Sequence, residues 1–451
     1  MRALLPLIAA ALLLTGHASA DPGDAVAHRH DADSVPVVNR WLDANLDGLL
    51  KTYRHLHAHP ELSLQETKTA ALVATQLTTA GYTVEAGIGG HGVAGVLRNG
   101  EGPTLMIRGD MDGLPVVEQT GLPYASKTSA TRADGTSVGV MHACGHDIHV
   151  TNLLGVAKLL SAHRELWAGT VVIVAQPAEE LGRGARLMMD DRLFARMPKP
   201  DFAIALHVDA DLPAGKVGYV SGWAAANVDS VDIIVHGRGG HGARPHQSND
   251  PIVTAAHIVT ALQTIVSRRV DPQAPAVVTV GSIHGGTKNN VIPDAVELKL
   301  TVRSYSDGVR KVLMDGIRQI ADDACRTFRC PKKPTIKTKK HYTPAVYNHP
   351  GLSAAAGGVF RSALGDAALA ERKPTMGGED FGRYSRRLGV PGLLFRLGTV
   401  GPRAWSASLR KGATPLPTLH SSRFAPEPTV TLRTGLRAMG HLALSLLPRP
   451  Q

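Results

Sequence analysis

Three short apolar runs constrain this chain more than any other feature: Thr104 to Arg108, Thr170 to Ala175 and Phe202 to Val208. Each is strand-like in length and composition, and a helical pattern from Val150 to His163 separates the first two. Strands alternating with helices in this way imply a mostly parallel sheet in an α/β fold. An amphipathic helix from about Val37 to His57 precedes them and is closed by HAHPELSLQET. The pattern resumes from His341 onward, with the strand-like GLLFRLG and a last helix from about Thr429 to Leu447.

Between these blocks the pattern changes. In AVELKLTVRSY, Val296, Leu298, Leu300 and Val302 alternate with Glu297, Lys299, Thr301 and Arg303, which marks a sheet with one buried and one wet face. DSVDIIVHG and AVVTVGSIHGG read as further strands. PIVTAAHIVTALQTIVSRRV has helical spacing at Ile252, Ala255, Ala256, Val259, Leu262 and Val266, and DGVRKVLMDGIRQIADDACRTF places Val309, Val312, Leu313, Ile317 and Ile320 on one side. With a closing strand near Thr335 to Lys339, this is the ferredoxin-like plan. The expectation is a small α+β domain, residues 227–340, inserted into a larger one made of 36–226 and 341–451.

The segments that carry chemistry cluster at strand ends. MHACGHDIHV places Cys144, His146, Asp147 and His149 directly before a helix, and thiolate and imidazole are ligands for zinc and its neighbours. A redox cysteine beside incidental histidines is the bland alternative. Asp110 and Asp112 follow one strand, Glu179 and Glu180 the next, and His207 ends a third. The carboxyl ends of strands in an open α/β sheet form the crevice where ligands bind, so these groups can converge. Singly, the aspartates could cap a turn, the glutamates could be a solvated pair and His207 a core imidazole. Together they point to a metal site, because packed carboxylates need positive charge to hold them.

HPELSLQE, RGDMDGLPVVE, HACGHDIH, QPAEE, GGHGARPH, NNVIPD, GGEDFG and LHSS occur in an order that resembles the aminoacylase and carboxypeptidase G superfamily of metallopeptidases. The branch most similar includes hippurate hydrolases and indoleacetyl-amino-acid hydrolases, and the similarity runs from about Val37 to the C-terminus. The resemblance implies two divalent metal ions held by Cys144, His146, Glu180, His207 and His420, with Glu179 as general base. It also implies that Asp112 orients a ligand imidazole, a role that fixes tautomer and basicity. The inserted domain would act as a lid and dimerisation domain. Within it His241 would stabilise the developing oxyanion, reaching a partner's site, and Asn290 and Arg303 would bind the substrate's terminal carboxylate. An arginine fork suits a carboxylate, although Arg303 also fits as an exposed strand charge. Zinc, manganese, cobalt or nickel would each suit the mixed ligand set.

Two features depart from the resemblance: Gly242, where alanine is more usual, and an expanded stretch from Pro402 to Pro417 that could reshape the pocket beside His420. Gly237, Gly239 and Gly242 also satisfy the dinucleotide pattern G-x-G-x-x-G, but Pro245 argues against a helix running on to hold a pyrophosphate.

The formal charge of +11 invites a nucleic-acid reading, but the basic residues are scattered and lack interleaved aromatics. Lys332, Lys333, Lys337, Lys339 and Lys340 are expected to form a solvated linker. A positive field would instead steer small anionic substrates. Residues 1–20 have the composition of a secretory signal ending in an A-x-A site, and no later stretch has the length and apolarity of a membrane span. Export to the periplasm or beyond is therefore expected, where Cys325 and Cys330 could pair. The chain thus reads as an exported hydrolase of N-acyl amino acids or similar small amides, and as a homodimer or higher oligomer by resemblance. A dipeptidase or aminopeptidase could use the same ligands. A non-catalytic metal-binding protein would have no need of Glu179.

Overall fold

The computed structural model describes residues 34–447 and 449 of the 451. The expected signal at residues 1–20 lies outside the described residues. An eight-stranded sheet organises the larger part of the chain. Its order is Thr83–Ile88, Gly92–Asn99, Gly169–Gln176, Thr104–Asp110, Phe202–Pro213, Gly392–Val400, Val217–Tyr219, Leu369–Glu371. The middle four strands are parallel, and antiparallel pairs flank them.

The strands expected from apolar runs are those of the parallel centre, and burial explains their composition. Along Gly169–Gln176, Val171, Ile173 and Ala175 face one core while Val172 and Val174 face another, so both faces demand apolar residues. The first core lies under the helices Ser34–Ala58, His146–Ala162, Pro350–Leu364 and Pro428–Leu446. The second lies under Gly184–Asp190 and Gly382–Leu388.

A second sheet holds a third core. Its order is Ala276–His284, Ala295–Ser304, Asn227–His236, Thr335–Thr338, all antiparallel. Taken in chain order with helices Pro251–Arg268 and Asp307–Thr327 between the strands, this is the ferredoxin-like arrangement. Along Asn227–His236 buried and half-buried residues alternate without a break, which is the one-sided pattern of a sheet covered by helices on one face.

The inserted unit also corrects two helix faces. Ile252 was expected inward but is 42% exposed, whereas Ile258 and Ile265 are fully buried with Ala255 and Leu262. The carboxylate of Asp250 caps the first turn by accepting from the backbone N–H groups of Ile252 and Val253, and the helix then packs through the 255, 258, 262, 265 stripe. PIVTAAHIVTALQTIVSRRV is apolar on adjoining stripes, so periodicity alone could not set its rotation. Val312 likewise points outward, while Leu313, Ile317 and Ile320 are buried as expected. Cys325 and Cys330 are free thiols within hydrogen-bonding reach of each other. Among the described residues no helix is long and apolar enough to cross a membrane.

Candidate metal centre

The carboxyl ends of the parallel strands open into a cleft of about 590 Å³ lined by Cys144, Glu179, Glu180, His207 and His420, with Arg303 entering from the inserted unit. His146, fully buried, stands behind it at the start of the helix His146–Ala162. All five expected ligands therefore meet at one place. Cys144 Sγ lies 3.6 Å from His207 Nε2. Glu180 Oε1 is 3.9 Å from His146 Nε2 and 3.5 Å from His420 Nε2. Glu179 Oε2 is 4.0 Å from His146 Nε2.

Local structure explains how these side chains come to face one another. His420 has a left-handed backbone, φ 68°, rare for a residue with a side chain, and its N–H donates to the Ala143 carbonyl. That bond ties the two ligand loops together. His207 donates from Nδ1 to the Val208 carbonyl, which leaves Nε2 as the free lone pair toward Cys144. The turn after Gly169–Gln176 is gripped by acidic side chains. The N–H of Ala178 donates to Glu66, and those of Glu179 and Glu180 donate to the two oxygens of Asp112. HPELSLQE takes part in this grip through Glu66 and through Ser63, which donates to Asp112.

Asp112 Oδ1 also stands 3.3 Å from His146 Nδ1, which gives it the orienting position expected of it. Its carboxyl is raised by burial, yet contact with His146 holds it below the usual range. His149 belongs to the same motif as His146 but has both ring nitrogens engaged. Nδ1 is 2.5 Å from Asp110 Oδ1, and Nε2 accepts from the Val208 N–H. It is thereby a support and not a ligand.

The electrostatics call for cations. Burial, then repulsion from Glu379, Asp380, Glu180 and Asp110, pushes the Glu179 carboxyl well above its ordinary range. Burial brings Glu180 to about 7 despite its attraction to His146. Burial also raises the Cys144 thiol and lowers His207 and His420. The thiol, the adjoining acids, His207 and His420 are thus driven toward their neutral forms, the state that positive charge among them would overturn for the sulfur and carboxylates. His146 Nε2 and Glu180 Oε1 are buried without a hydrogen-bond partner and face each other, as ligands of a shared ion would. The donor set fits divalent metal.

Residues beyond the expected set complete the site. Arg108, in a central strand after the apolar run Leu105 to Ile107, is fully buried and spends its five N–H donors on Gln176, Asp110, Glu379 and Asp380. GGEDFG supplies the last two, and the arginine keeps them beside Glu179 without an unpaired core charge. A charged residue inside a buried strand was the available sign. Lys339, expected in a solvated linker, lines the cleft instead. The stretch from Pro402 to Pro417 does not line it. Nor do His241 and Asn290, which neighbour each other through the bond from Gly242 N–H to the Asn290 carbonyl.

Residues 106–409 match the model of peptidase family M20/M25/M40. The chain is 36% identical to an N-acetyl-L-cysteine deacetylase of Bacillus subtilis, over 83% of this chain and 85% of that one. It is 35% identical to thermostable carboxypeptidase 1 of Saccharolobus solfataricus, over 89% and 95%. Among solved structures it is similar to a dinuclear metal binding peptidase of the M20 family from Bacillus subtilis, with a TM-score of 0.72, 29% identity and coverage of 90% and 100%. With a cluster of side chains able to hold metal at its strand ends, the chain belongs to peptidase family M20/M25/M40 and is a metal-dependent amidohydrolase.

Proposed function

We propose that this protein hydrolyses the amide bond of N-acyl amino acids, using two divalent ions held by Cys144, His146, Glu180, His207 and His420. The observation that carries the reading is the division of labour between adjoining glutamates. Glu180 turns an unpartnered oxygen toward His146 and His420, while Glu179, gripped through its backbone by Asp112, keeps its carboxylate free at the cleft. The ions would supply Lewis acidity toward the amide carbonyl and acidify water. Glu179 accepts the proton of the attacking water and returns it to the leaving nitrogen. Asp112 fixes both the His146 ring and the turn that carries Glu179. Arg303 faces the cleft from the inserted unit and is placed to pair with the carboxylate of the amino acid.

The reading extends to a homodimer. The strand Ala276–His284 is an edge of its sheet, and Ile252, Val253, Ile283 and Val291 in this unit expose between 42% and 52% of their surfaces. His241, remote from its own cleft lining, would serve the partner's site.

Glu179→Gln is expected to keep its metal by elemental analysis while losing about 10²- to 10⁴-fold in kcat on an N-acyl amino acid. Cys144→Ser is expected to lose metal on dialysis. Full turnover by the first variant, or full metal in the second, would overturn the assignment.

A further inference from the structure

Arg396 lines the cleft, and the hydrolytic reading leaves its chemistry unused. It lies on Gly392–Val400, in register with His207 on the neighbouring parallel strand, and shares the parity of Leu394, which also lines the cleft. Among the described residues no hydrogen bond or ion pair engages its guanidinium. The acids beside it are already satisfied: Asp209 pairs with Arg372, and Glu379 is held by Arg108. A half-buried guanidinium with no partner is costly, since burial disfavours its charge. It retains planar donors suited to a bidentate anion. Its wall differs from that of Arg303, which reaches the cleft from the inserted sheet.

We propose that Arg396 receives a second carboxylate of the substrate, so that the preferred substrates are N-acyl amino acids with two acidic groups. This rests on the proposed hydrolysis of N-acyl amino acids and narrows its substrate class. The second group can be carried by a dicarboxylic acyl chain or by an acidic amino-acid side chain. Lys339 on the same cleft and the net charge of +11 favour such dianions by long-range attraction.

The test compares kcat/KM of the metal-loaded enzyme for N-succinyl-L-alanine, N-acetyl-L-glutamate and N-acetyl-L-alanine. At least one dianion is expected to exceed N-acetyl-L-alanine by about ten- to a hundred-fold, the value of one charge-assisted contact. Which dianion is preferred identifies the carrier of the second carboxylate. In Arg396→Gln that ratio is expected to fall toward one, and in Arg396→Lys to be partly retained, with metal content reporting that each variant is folded. Inhibition by N-succinyl-D-alanine should weaken in parallel, a readout independent of turnover. Equal use of all substrates, or a ratio untouched in Arg396→Gln, overturns the inference while the amidohydrolase reading stands. If none of the substrates is cleaved, the proposed hydrolysis of N-acyl amino acids fails and carries the inference with it.

Discussion

His57 holds a charge where few histidines do. It is fully buried, with Nδ1 2.7 Å from Asp147 Oδ2 and Nε2 3.0 Å from Glu118 Oε1. Burial lowers its pKa, but the bonds to the two carboxylates prevail and raise it to about 10. An unfolded histidine titrates near 6.5, so between those values the folded protein holds one proton more than the unfolded chain. The stability that His57 contributes is therefore complete below about 6.5 and is lost as pH climbs toward 10. Asp147 and Glu118 act oppositely. Burial raises them, contact with His57 brings them below their ordinary range, and their contribution disappears in acid. His57→Gln is expected to destabilise by about 3–5 kcal/mol at pH 7. The gap between wild type and variant should narrow from pH 6.5 to 10 when followed by denaturant midpoints, and a constant gap would refute a charged His57. At this scale the ligands were legible, because sulfur, imidazole and acid groups recur at strand ends. Arg108, Arg396 and His57 were not, since whether a charge is paired depends on residues far away in sequence. Arg108 meets Glu379, and His57 meets Glu118 and Asp147, only in the folded chain.

The turn from Gln176 to Gly184 shows the same dependence at the level of an element. Its strand is evident from composition, but the turn is shaped by backbone geometry. Ala178 and Gly182 have positive φ of 51° and 60°, and the N–H groups of Arg183 and Gly184 both donate to the Ala178 carbonyl. A side chain on Gly184 would place its Cβ 1.6 Å from the Pro177 carbonyl oxygen, a backbone atom that cannot swing aside. Gly184→Ala should therefore shift the turn that aims Glu179 and Glu180. The expected outcome is a loss of about 1–3 kcal/mol in stability together with weaker metal retention in dialysis followed by elemental analysis. Wild-type metal affinity in this variant would show that the turn does not position the ligands. Sequence periodicity identified the elements well where one face is apolar, as in Ala295–Ser304. It misplaced the buried stripe of Pro251–Arg268, where the rotation is decided by the Asp250 cap and the sheet beneath.

Over the whole molecule, the two sheets divide the site between them. His207 on the eight-stranded sheet, with the loops and helix start at its strand ends, provides the expected metal ligands, whereas the inserted unit provides Arg303 to the same cleft and keeps His241 elsewhere. His241 is exposed on the short strand Gly240–His241, where its Nδ1 accepts from the Ala243 N–H and its position is fixed against Val291. A histidine so held, yet outside its own cleft, has a catalytic use only if a second subunit brings it to another cleft. That arrangement makes a distinctive prediction. On the proposed function, His241→Ala and Glu179→Gln should each be nearly inactive alone, because one would lack the group for the developing oxyanion and the other the base. In a mixed dimer, one site would combine an intact Glu179 from one chain with an intact His241 from the other, while the second site would lack both. Random exchange of subunits at equal concentrations should then restore about a quarter of wild-type activity, since half of the dimers are mixed and each has one working site of two. Sedimentation would verify that dimers are present, and Ile283→Lys on the exposed edge should both dissociate them and abolish the rescue. A mixture that remains inactive while dimers exchange freely would mean that His241 does not act across the interface.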